Sequence, residues 1–126
     1  MSETDPQFEI QFFESVLKRV PDYINVIEIL GCLYTETGQI DNGLRMDQTL
    51  VKIKPNDPTA HYNLACSLAL KGQIAQSIAS LEDAIKLGYN DLEWLLQDDD
   101  IVSLHSDPKF KKLINKLKTA LEKTQC

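Results

Sequence analysis

Residues 24–57 read INVIEILGCLYTETGQIDNGLRMDQTLVKIKPND, and residues 58–91 read PTAHYNLACSLALKGQIAQSIASLEDAIKLGYND. Laid over each other, the two stretches of 34 residues agree at eight positions, among them Leu30/Leu64, Cys32/Cys66, Gly38/Gly72, Gln39/Gln73 and Ile40/Ile74. The same period reaches backwards, placing Lys18 before Lys52 and Pro21 before Pro55. A fixed period of this length marks stacked supersecondary units that bury apolar faces against one another.

Each unit reads as two helices. Ile27, Leu30, Gly31 and Tyr34 fall at i, i+3, i+4 and i+7, one stripe of a helix, and His61, Leu64, Ala65 and Leu68 repeat it. Gly38 and Gly72 punctuate the units, and Pro55 closes the first. Ile74, Ile78, Leu81 and Ile85 form the second stripe of the second unit. Asp5-Pro6, Asp57-Pro58 and Asp107-Pro108 each offer a capping carboxylate followed by a proline suited to the first helical position. No stretch alternates with period two, so no sheet is expected. Gly31, Ala65 and Ala84 are small where paired helices should approach closely.

These residues resemble the tetratricopeptide repeat (TPR) family. Leu30, Gly31, Tyr34 and Pro55 match the signature in the first unit, and Leu64, Ala65, Leu81 and Ala84 in the second. The tail, DLEWLLQDDDIVSLHSDPKFKKLINKL, is similar to the degenerate end-of-group segment that follows the last such unit. The resemblance implies an all-α, right-handed stack of antiparallel helix pairs, an α-solenoid of six or seven helices in one domain. Residues 7–21 would be a half-unit helix, 24–57 and 58–91 the two repeats, and 92–126 the closing segment with a capping helix. The chain departs from the pattern at Asp47, where a large apolar residue belongs, at His61, and at Gly88-Tyr89, which replaces the closing proline. Met46, Leu50 or Val51 could rotate in beside Asp47.

The first helices of such units line the concave side of the stack. The resemblance thus assigns Asn25, Glu28, Cys32, Thr35 and Glu36 to a partner-binding groove, with Thr59, Tyr62, Cys66, Ala69 and Leu70 from the second unit. It implies a protein-interaction adaptor or scaffold rather than an enzyme, with no cofactor. Some relatives grip a chaperone's C-terminal carboxylate; Asn63 matches one of their asparagines. Glu28 and Cys32 stand where that clamp has a lysine and a second asparagine, so like charge disfavours an acidic tail. A basic or amphipathic segment is the expected partner. A self-assembling subunit and a client-specific chaperone are the alternatives.

Composition narrows the rest. Across 126 residues, 13 basic and 19 acidic side chains leave a net charge of −6, which opposes nucleic-acid binding. No apolar run suits a membrane span and no secretory signal is visible, so a cytoplasmic protein is expected. Cys32, Cys66 and Cys126 form no CxxC pair and are expected to be free thiols. Asp98, Asp99 and Asp100 lack the glycine and closing glutamate of a calcium loop and are expected to start a short helix. Neither His61 nor His105 has a nucleophile placed for a triad. Trp94 is expected to anchor the terminal segment to the core. Residues 108–123 carry six lysines and one glutamate, a basic helix expected to cap the stack with a solvated face, which pairing with the Asp98–Asp100 cluster would also satisfy. Phe8 and Phe12 stand on a half-unit with no partner helix, which suggests self-association as a homodimer.

Overall fold

The computed structural model describes residues 5–123. Seven α-helices follow one another among the described residues: α1 Pro6–Arg19, α2 Ile24–Glu36, α3 Ile40–Ile53, α4 Pro58–Leu70, α5 Ile74–Lys86, α6 Leu92–Gln97 and α7 Pro108–Lys123. A 3-10 stretch, Asp99–Leu104, lies between the last two. No strand occurs among the described residues. The chain is an all-helical TPR-like solenoid. No helix among the described residues is long and apolar enough to cross a membrane.

Local chemistry sets the helix ends. Asp5, Asp57 and Asp107 accept hydrogen bonds from the backbone N–H groups of Gln7, Thr59 and Lys109, at 3.1, 2.9 and 2.8 Å. Each satisfies a donor that the first turn leaves open. The Gly88-Tyr89 departure proves to be a third stop of one design. Gly88 takes φ of 116°, a conformation that costs other residues a clash, and the Tyr89 N–H reaches back to the Ala84 carbonyl at 2.9 Å. Gln39 and Gln73 make the same bond after Gly38 and Gly72, at 2.7 and 2.9 Å.

Packing runs from neighbour to neighbour, α1 on α2, α2 on α3, α3 on α4 and α4 on α5. Ile10, Val26, Leu30 and Tyr34 form one core with Phe13 and Val16 against it, so the half-unit covers the first repeat. Ile27, Leu50 and Ala60 form the next. Close approach is real at Gly31, where a small residue was expected, and also at Gly43, which was not singled out. A Cβ on Gly43 would stand 2.7 Å from the Thr35 hydroxyl oxygen, and one on Gly31 would stand 3.3 Å from an Asp47 oxygen. Leu50 is the buried residue of the α3 stripe that makes up for Asp47, with Met46 half-buried beside it.

The closing segment reverses the order. The 3-10 stretch folds back onto α4, and α7 packs against α5. Leu95, Ile101, Leu104 and Phe110 join Tyr62, Ala65 and Leu81 in the largest core. Asp98 is the pivot. One of its oxygens accepts the Asp100 N–H at 3.0 Å and starts the 3-10 stretch; the other accepts the Tyr62 hydroxyl and the Cys66 thiol, the latter at 3.6 Å. The Tyr62 ring stacks on Tyr89, with centroids 4.4 Å apart and planes 3° from parallel.

Three expectations need correction here. Trp94 does not anchor the terminal segment. It is 49% exposed, because Leu92 and Leu95, three residues apart, form the face of α6 turned to the core and Trp94 lies off that face. Ala69 lies in the core beside Ile78 rather than facing a groove, since the closing segment covers that side of α4. Asp98–Asp100 make no ion pair with the α7 lysines; ion pairs among the described residues form instead at Lys54–Asp57 and Lys71–Asp41. His61 fills a structural place, its ring nitrogen 2.7 Å from the Pro55 carbonyl. Cys126 lies outside the described residues.

Replacing Asp98 by alanine should therefore cost about 2–4 kcal/mol, the sum of a lost cap and a buried hydroxyl left without an acceptor. Chemical denaturation measures this. Asp98→Asn, which keeps an acceptor, should cost less.

Candidate functional site

A cleft of about 290 Å³ opens between α2 and α4. Glu28, Cys32, Thr35 and Glu36 form the α2 wall, and Asp47 and Leu50 of α3 reach in behind it. Tyr62, Asn63, Cys66, Ser67 and Leu70 form the α4 wall. Trp94, Asp98 and Asp100 of the closing segment close one end. Helical spacing explains the α2 wall: positions 28, 32, 35 and 36 share one face, about a quarter turn or more from the buried stripe of Ile27, Leu30 and Tyr34.

Seven of the ten groove residues expected from the resemblance meet here: Glu28, Cys32, Thr35, Glu36, Tyr62, Cys66 and Leu70. Asn25 instead borders a shallow depression with Val20 and Tyr23, and Thr59 is exposed in the first turn of α4, outside the cleft. Ala69 is in the core. Tyr62, assigned to the groove, is only 4% exposed. Its hydroxyl and ring are committed to Asp98 and Tyr89, so it shapes the cleft wall from within. The exposed apolar surface comes from Leu70 and Trp94.

Sequence reasoning missed Asp47, Ser67, Trp94, Asp98 and Asp100 as parts of this site. Asp47 carried a signal, since it breaks the apolar pattern of its helix. Trp94, Asp98 and Asp100 depend on how the closing segment folds back, which no periodicity encodes, and Ser67 enters the site through its hydrogen bond to Asp47 where α3 meets α4.

The electrostatics are one-sided. The lining holds five carboxylates, Glu28, Glu36, Asp47, Asp98 and Asp100, and no lysine, arginine or histidine. Burial pushes the Asp47 carboxyl up from its ordinary 3.8 to about 6, against the hydrogen bond that Ser67 donates to it. Burial and then the Asp98 and Asp99 charges raise Asp100. The Cys32 thiol is raised by burial, then by Glu36, Asp47 and Glu28. Burial and Asp98 raise Cys66. Neither thiol is activated as a nucleophile, which would need a lowered pKa. Donor atoms of Cys66, Asp98 and Asp100 lie within 4.8 Å of one another. Asp98 there is engaged by Tyr62, Cys66 and the Asp100 N–H, which makes the group a hydrogen-bonded support for the end wall.

No family model matches the chain. Among curated proteins it is similar to a chloroplastic protein of Arabidopsis thaliana, 26% identical over 87 residues. Those residues are 67% of this chain and 26% of that protein, so the match spans about a quarter of the relative's length. Among solved structures it is similar to MamA of AMB-1, with a TM-score of 0.63 and 20% identity, over 87% of this chain and 62% of that one. MamA of MSR-1 gives a TM-score of 0.62 at 20% identity, over 88% and 66%. MamA is a TPR-like protein, and the likeness supports the TPR-like fold.

Asp47 yields a stability prediction. Its folded pKa lies above its unfolded value, so the folded state holds the proton longer. Stability contributed at low pH is therefore lost as pH rises from about 4 through about 6. Asp47→Asn should raise stability at pH 7.5 by about 1–3 kcal/mol and change it little at pH 4, as read by thermal denaturation at both values.

Proposed function

We propose that this chain is a small protein-interaction module whose α2–α4 cleft receives a basic or amphipathic segment of a partner protein. The observation that carries this reading is the lining itself: five carboxylates and no cation, with Leu70 and Trp94 exposed beside them. Mixed acidic and apolar lining complements a segment that presents lysine or arginine next to apolar side chains, and opposes an acidic one. The walls are rigid helices held by buried cores, so little ordering is lost on binding. The TPR-like fold supports this reading, since stacked helix pairs present such concave faces.

Selection from a random dodecapeptide library on the wild-type protein tests it. Basic or amphipathic peptides should be enriched and should change the fluorescence of Trp94, the one tryptophan in the sequence. Glu28→Gln with Glu36→Gln, or Leu70→Ala, should weaken the selected peptides about fivefold to tenfold while the helical circular dichroism stays unchanged. These side chains are exposed and suit the test better than Tyr62, whose loss would disturb the core. Enrichment of acidic peptides, or equal affinity for the variants, would sink the cleft reading.

A second reading, self-assembly, is favoured by one observation on α1. Phe8 is 62% and Phe12 54% exposed, on the edge where a complete unit would have a further helix. Buried in a homodimer, these rings would remove apolar area from water that the monomer leaves wet. Sedimentation velocity from micromolar to millimolar concentration should show association that Phe8→Lys with Phe12→Lys abolishes. A monomer throughout that range would refute this edge as an interface.

A further inference from the structure

The cleft lining has more in it than a general preference for basic segments. Its carboxylates stand on three different elements and converge on one space: Glu28 and Glu36 from α2, Asp47 from α3, Asp98 and Asp100 from the closing segment. Lys54 and Lys71, which form ion pairs among the described residues, are engaged with Asp57 and Asp41, outside the lining. Asp98 is met by neutral donors, the Tyr62 hydroxyl, the Cys66 thiol and a backbone N–H. Asp47 is met by the Ser67 hydroxyl. A large aromatic ring, half exposed, borders the same space at Trp94. Burial raises Asp47, and burial with the Asp98 and Asp99 charges raises Asp100, so a cation entering between these two carboxylates would favour the charged form of both.

We propose that the cleft recognises its partner through one cationic side chain, an arginine or a lysine flanked by apolar residues, whose charge enters between Asp47 and Asp100 and whose stem lies along Trp94 and Leu70. This rests on the reading of the cleft as a partner-binding groove and names the group that occupies it. The volume of about 290 Å³ suits one long side chain with its flanking contacts better than a whole helix face. A cation beside an aromatic face gains further attraction, most when both are shielded from water.

Proton linkage follows from the geometry. Asp47 is faced from α2 by Glu28, Cys32 and Glu36, from α4 by Tyr62, Cys66 and the neutral Asn63 and Ser67, and across the cleft by Asp98 and Asp100. None of these is positive. The free protein at pH 6 therefore holds Asp47 about half protonated, and an incoming cation favours the charged form. Binding should release protons, and affinity should rise as pH passes from 5 to 7.

The probe is the tightest peptide obtained from the dodecapeptide selection, with each arginine replaced in turn by citrulline and each lysine by norleucine. Titration calorimetry is run with wild type, Asp100→Asn and Asp47→Asn, after thermal melts confirm that each variant is folded. One replacement should weaken binding to wild type by about tenfold or more, and the others by far less. That penalty should shrink in both variants, which marks a direct coupling. At pH 6, two buffers of different ionisation enthalpy should report about half a proton released by wild type and less by Asp47→Asn. Peptides that bind in the cleft with no single cation dominating would overturn the pocket and leave the groove reading standing. So would a dominant cation whose penalty is unchanged in both variants. Failure to select any peptide would take down both.

Discussion

A buried carboxylate holds this structure together. Asp98 is 8% exposed, and its two oxygens bind three donors, two on α4 and one in its own segment. Tyr62 and Cys66 sit one turn apart on α4, and the third donor is the backbone N–H of Asp100. Without that junction, the closing segment would have only its apolar residues to set its position, and apolar contact is not directional. The hydrogen bonds fix register. They decide that Leu95, Ile101 and Leu104 enter the core while Trp94 is turned towards the cleft. The Tyr62–Tyr89 stack extends the same constraint to the end of α5, where the glycine stop delivers Tyr89. Fold and cleft therefore share one hinge of chemistry, since the residue that terminates the repeat array also forms the end wall.

Asp47 shows the opposite economy. A large apolar residue at this position would fill the space beside Gly31 and cost nothing in desolvation. The chain carries a carboxylate there instead, raised by burial and relieved by a single hydroxyl. A half-buried carboxylate that lowers stability while facing the cleft fits the proposed recognition of a cationic side chain. Gly31 belongs to the same arrangement. Its lack of a side chain leaves Asp47 its place against α2, where a Cβ would crowd the carboxylate at 3.3 Å.

The two repeats were legible because their signals are local. Period, glycine stops and aspartate caps each act over a few residues, and the structure realises them as helices α2 to α5 with the stripe of Ile27, Leu30 and Tyr34 buried. The α2 wall of the cleft followed from the same spacing. On the α4 side, Tyr62 and Cys66 line the cleft with the closing segment against them, while Ala69 is buried in the core. That burial is tertiary and leaves no trace in the period of α4 itself. Trp94 failed for a related reason. A lone tryptophan beside leucines reads as an anchor by size alone, while the inward face of the helix that carries it is taken by Leu92 and Leu95, three residues apart. The aspartate run was read correctly as a helix start, yet its first member does more than cap.

The extent of the cleft shapes what it can do. Long solenoids spread contact over many units, so no one residue must dominate. Here the cleft has two helical walls and a closed end, and a partner segment meets one unit of each. Contact area of that extent yields little affinity once the cost of association is met, unless a few residues carry most of it. Confined charge is the strongest resource such a site has, because the low dielectric that makes the carboxylates costly alone makes them effective against a cation. The exposed α1 edge adds a second route. Were copies to associate there, two clefts would be presented together, and a partner with two basic segments would be held far more tightly than by either alone. In the proposed reading, charge selects the segment in the cleft, and apolar area on α1 would set how many clefts act at once.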